Sequence, residues 1–105
     1  MRILLRVSIP VEAGNAAAKA GTLGPTVERI LASIKPEAVY FFADDNGNRC
    51  GSVVFDLQDP SQIPAISEPW FHAFNASVTL RPVMTPQDLA KAGPSLAAAA
   101  KEFGK

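Results

Sequence analysis

Between Arg2 and Ile9 the side chains alternate, with Ile3, Leu5, Val7 and Ile9 on one side and Arg2, Leu4, Arg6 and Ser8 on the other. A period of two, rich in β-branched residues, predicts a strand half-buried in a core. Pro10 ends it, because proline cannot donate to a ladder. From Glu12 to Ile34 the pattern turns helical in two pieces. Ala13 to Ala20 holds strong helix formers and is closed by Gly21. Thr22 is placed to cap the second piece and Pro25 is tolerated in its first turn. Leu23, Val27, Ile30, Leu31 and Ile34 then recur on one face.

Glu37 to Ala43 (EAVYFFA) is apolar on both sides, which predicts a strand covered on both. Asn46-Gly47 is the strongest short signal for a tight hairpin, and Arg49 to Leu57 returns from it. On that strand Gly51, Val53, Phe55 and Leu57 share one side, and Cys50, Ser52, Val54 and Asp56 the other. A calcium reading of Asp44–Asn48 fails because the loop lacks the later ligands and the bidentate Glu of an EF-hand.

The stretch from Pro60 to Pro86 carries the only Trp and the only His. Asp59, Pro60 and Gln62 spell a capping box at the start of a helix running to about His72, which Pro64 and Pro69 must bend or restart. After a turn at Asn75, Ala76 to Met84 reads as a strand whose apolar side is Ala76, Val78, Leu80 and Met84. Thr85-Pro86-Gln87-Asp88 opens another helix, Gly93-Pro94 breaks it, and an alanine-rich segment from Ser95 to Phe103 follows.

The order is β-α-β-β-α-β with an added C-terminal helix, an α+β, ferredoxin-like arrangement in one domain. It implies an antiparallel four-stranded sheet in the order 4-1-3-2, with helices on one side only. The other side would carry Leu4, Arg6, Ser8, Ser77, Thr79, Arg81, Val83 and one face of the aromatic strand. That surface is too apolar along Val39–Ala43 to stay bare and too polar along the fourth strand for a dry core. A second copy, packed sheet on sheet, would cover it and leave a mixed cavity between.

Composition narrows the partners. A chain of 105 residues buries roughly 60–68% of its unfolded surface, so covering one more face is a gain. Ten basic and ten acidic residues cancel, leaving no field that would gather nucleic acid or an anionic membrane surface. One Cys and one His exclude an intrachain disulfide and a structural zinc site of the usual four ligands. No cofactor is implied. The N-terminal run is interrupted by Arg6 and followed by no cleavage pattern, and no run has the length of a membrane span. The expected location is the cytoplasm.

His72 is the one side chain that titrates near neutrality, hence the natural general acid or base. No nucleophile stands beside it by spacing, and solvent exposure at a helix end suits it as well. Cys50 reads as a buried, inert thiol. Trp70, Phe71 and Phe74 suit either a core or the wall of an aromatic-ligand pocket. Arg6 and Arg81 should lie on neighbouring strands of the open face, near Ser8, Ser77, Thr79 and Tyr40, where two guanidinium groups suit a carboxylate or phosphate. Pairing with Asp56, Glu37 or a partner subunit's acids is the other use for them.

In element order the chain resembles the dimeric α+β barrel superfamily, and W-F-x-x-F-N…R-P-V-M-T-P over Trp70–Pro86 looks like an uncharacterised bacterial family of that fold. The resemblance implies a homodimer. It brings no established catalytic residues, and fold does not transfer function. IPVEAGNAA lacks the glycines and the Arg of an acylphosphatase loop, and RCGSVVF lacks the stacking aromatics of an RNA-recognition motif. The expected function is binding of a small anionic or aromatic metabolite in a cavity on the sheet. An interaction module without chemistry is the alternative, as is, by analogy with the superfamily alone, a cofactor-independent monooxygenase or isomerase.

Overall fold

The computed structural model describes all 105 residues. Strand β1 (Arg2–Ile9) leads into helices α1 (Val11–Ala20) and α2 (Leu23–Ile34), and strands β2 (Ala38–Ala43) and β3 (Arg49–Asp56) form a hairpin. A 3-10 turn (Pro60–Gln62) precedes α3 (Ile63–Phe74), which is followed by β4 (Ser77–Pro82), α4 (Pro86–Lys91) and α5 (Gly93–Phe103). The four strands pair antiparallel in the order β2-β3-β1-β4, the order expected from the sequence.

The alternation in β1 sets the register. Ile3, Leu5 and Val7 face the helices opposite Phe55, Val53 and Gly51 of β3, and all but the glycine join one apolar cluster with Ile30, Trp70 and Phe74. Trp70 and Phe74, one turn apart on α3, hold their ring centres 6.4 Å apart. The helix ends follow local chemistry. Gly21 takes a left-handed conformation (φ 73°) and its N–H closes α1 on Ala17 and Ala18. Asp59 with Gln62, and Thr85 with Asp88, form reciprocal capping boxes.

Several expectations need correction. Thr22 does not cap α2; its hydroxyl donates back to the carbonyl of Ala17 at 3.3 Å. The hairpin is not closed by a two-residue turn, since only Gly47 (φ 76°) has positive φ there. Instead, Gly47 N–H donates to Asp44 O and Asp44 N–H to Asn48 O, the three-residue form with a left-handed glycine. The fourth strand ends at Pro82, so Met84 lies beyond it and is exposed rather than part of the core. Strand β2 is uncovered on both sides in the single chain: Tyr40, Phe41 and Phe42 are 69%, 66% and 40% exposed. It is the edge of the sheet, where only Val39 packs against the core beneath the helices.

The last two helices form an arm. Every residue of α5 after Gly93 is exposed, and the molecule measures 58 × 29 × 20 Å. Its radius of gyration is 17.5 Å, against about 13 Å for a compact chain of this length.

Candidate functional site

The sheet separates two cavities of opposite character. The open-face cavity, of about 340 Å³, is lined only by polar residues: Arg6 and Ser8 of β1, Ser77, Thr79 and Arg81 of β4, and the hairpin residues Asp44, Asp45, Asn46 and Asn48. Strand register explains the grouping. Arg6 pairs with Thr79, Leu4 with Arg81 and Ser8 with Ser77, so the two arginines are diagonal neighbours on one face. Such neighbours lie about 7–8 Å apart at the backbone, within reach of long side chains.

Neither arginine forms an ion pair within the chain. The acids expected to pair with them are taken. Glu37 accepts from Arg2 Nε at 2.6 Å, and Asp56 holds the N-terminal ammonium at 2.7 Å. Asp44 accepts from the Ser8 hydroxyl at 2.7 Å and from the amides of Asn46 and Asn48 at 2.9 and 3.0 Å. The Ser8 hydrogen bond first, then the Asn48 amide, holds the Asp44 carboxyl below the usual carboxylate range. Arg6 turns towards β3 instead. Its Nε donates to Cys50 Sγ at 3.5 Å and its guanidinium carbon lies 5.3 Å from the centre of the Phe42 ring. Its pKa is raised, chiefly through the contact with Cys50.

Of the residues singled out from the sequence, Arg6, Thr79 and Arg81 come together, and Tyr40 lies on the same face near the outer edge, opposite Ser52. Trp70 lies on the far side of the sheet, buried in the core and lining the second cavity. His72 is at neither cavity. Its side chain is 81% exposed, with Nε2 3.7 Å from Glu68 one turn earlier. Nowhere do three or more His, Cys, Asp or Glu side chains gather to hold a metal ion.

The second cavity, of about 530 Å³, lies between the sheet and α2 and is mostly apolar. Of its lining the sequence offered Trp70, as one wall of an aromatic-ligand pocket, but not Arg49, which shares the inward-facing parity of Gly51, Val53 and Phe55. Two polar atoms of α3, Ser67 Oγ and Trp70 Nε1, are buried nearby in sequence with no hydrogen-bond partner.

No protein-family model matches the chain, and no curated protein matches it in sequence. Among solved structures it is similar to a formyltetrahydrofolate deformylase from Pseudomonas putida KT2440, at 15% identity and a TM-score of 0.50. That alignment covers 99% of this chain and 39% of the other. A formyltetrahydrofolate deformylase from Burkholderia mallei ATCC 23344 aligns at 19% identity and a TM-score of 0.46, over 99% and 38% of the two chains. The chain thus spans about two-fifths of the length of these proteins, and at such identity the likeness to the first is one of fold: a small α+β domain on a four-stranded antiparallel sheet.

Proposed function

We propose that this chain is a ferredoxin-like binding domain that takes a small anionic metabolite on the open face of its sheet. A second copy covers that face in the manner of a dimeric α+β barrel. One observation carries the reading: Arg6 and Arg81 line a single polar cavity while Glu37, Asp56 and Asp44 are engaged elsewhere and Asp45, which lines the same cavity, forms an ion pair with neither. A guanidinium keeps its charge at any accessible pH, so two of them on a covered face need an anion, water or a partner's acid. Ser8, Ser77 and Thr79 add hydroxyls able to orient a carboxylate or phosphate.

Association is supported by the remainder of the face. Tyr40 and Phe42 are exposed beside the half-buried Leu4 and Val54, on a strand whose outer edge is unpaired. Such an edge is a template for another chain. Chemistry has less support, since His72 lies away from this face.

Thermal melts of wild type and Arg81→Ala, with and without succinate, benzoate and inorganic phosphate, test the reading. Arg81 is exposed and unpaired, so its loss should change stability by less than about 0.5 kcal/mol. It should abolish the ligand-dependent rise in melting temperature that wild type shows. A large loss of stability in the mutant, with no anion shifting wild type, would make Arg81 structural.

A further inference from the structure

The helix-side cavity is independent of the two open-face arginines, and we propose that it binds a small molecule with an apolar body and a carboxylate head. Val7 and Val53 form its sheet wall, Val27 and Leu31 its helix wall, and Trp70 and Phe41 complete it. Its volume of about 530 Å³ falls in the range of small-molecule sites, roughly 300–1,000 Å³. Gly51 keeps the space open. A Cβ there would stand 3.4 Å from the Phe41 ring, so any larger side chain would push that ring and fill the floor.

The head group is assigned by Arg49. It lies on the inward-facing side of β3, where the neighbouring positions of the same parity are Gly51 and Val53. Its side chain crosses α1 at Gly14, where a Cβ would come within 2.6 Å of Nη1. There Nη1 donates to Asn15 Oδ1 at 3.0 Å. A neutral acceptor thus fixes Nη1 on α1, no acid lies within ion-pair distance, and the exposed Arg49 is one of the few charged residues lining the apolar cavity. Charged donors beside apolar walls select an amphiphilic anion. Glu28 of α2 lines the same cavity without pairing to Arg49. It leaves room for a ligand that also carries an ammonium group, so a fatty or aromatic acid and an apolar amino acid share the carboxylate head and apolar body.

Trp70 is the only tryptophan and lines this cavity, not the other, so its fluorescence reads this site alone. Titrations with sodium octanoate, octanol, octylamine and L-phenylalanine should show saturable change with octanoate or L-phenylalanine at submillimolar to millimolar concentration. Octanol and octylamine should bind more weakly. Arg49→Gln should weaken binding roughly tenfold, the loss of one charged hydrogen bond, and Arg49→Lys should recover part of it. Glu28→Gln should tighten octanoate but loosen L-phenylalanine, which tells the two sources apart. Gly51→Val should abolish binding if it folds; should it not fold, the Arg49 variants decide. Octanol binding as tightly as octanoate, equal affinity in Arg49→Gln, or no saturable change with either carboxylate would overturn the proposal.

Discussion

The Ser8 hydroxyl donates to Asp44 Oδ2 at 2.7 Å and so ties the end of β1 to the turn between β2 and β3. Asn48 Nδ2 approaches the same hydroxyl at 3.4 Å, and two turn amides complete the shell of the carboxylate. One short contact therefore closes the hairpin end of the open-face cavity and engages one of the two acids that line it.

This contact gives the chain a pH dependence of known sign. The Asp44 carboxyl is held below its ordinary value of about 3.9, so its contribution is complete above that value and is lost as pH falls through the lower, folded value. Asp59 and Asp88, each lowered first by a backbone amide (Ser61 and Thr85), add to the same acid limb. Ser8→Ala should lower the urea midpoint at pH 7, and the gap to wild type should narrow below about pH 4. A gap that stays constant with pH would show that Ser8 acts by packing alone.

Ser67 is 5% exposed in α3 and its hydroxyl has no partner. A buried unpaired hydroxyl costs about 1–3 kcal/mol, and alanine is the better helix former. Ser67→Ala should therefore stabilise the fold by about 1–2 kcal/mol in urea unfolding. A loss of stability would mean that the hydroxyl is hydrogen-bonded in solution.

The bare β2 strand predicts self-association. Light scattering behind a sizing column should give about twice the 11.1 kDa chain mass at low micromolar concentration. Tyr40→Lys should return the chain to monomer with little change in its own stability, because that ring is 69% exposed in the single chain. A clean monomer in the wild type would remove the second copy from the account.

Much of this architecture was legible because local chemistry and long-range packing agree. Ile3, Leu5, Val7 and Ile9 alternate and are all buried, and the Asp59 capping box and the helix start at Thr85 stand where the residue spacing placed them. Strand order followed from element order. What escaped depended on distance across the sheet. Phe41 has inward parity yet is exposed, because parity gives a direction and a cavity, not packed side chains, lies between it and α2. Arg6 and Arg81 share the open face on neighbouring strands, as their parity implies, but Arg6 Nε reaches Cys50 across the β1–β3 pairing, a diagonal that no single strand displays. Trp70 was grouped with Arg6 and Arg81 as a ligand contact, and the sheet lies between them. Of the helix-side cavity the sequence shows only the Trp70 wall, because the space opposite depends on how α2 stands against the sheet.

The central claim is that Arg6 and Arg81 form an anion site on the open face, and amide chemical-shift mapping tests it most directly. Benzoate or succinate, titrated into isotopically labelled protein, should move the amides of Arg6, Ser8, Ser77, Thr79 and Arg81, which line one cavity from two paired strands. Those shifts should disappear in Arg81→Ala while the rest of the spectrum is retained. Unmoved β1 and β4 amides at tens of millimolar acid, or the same shifts in Arg81→Ala, would contradict the account.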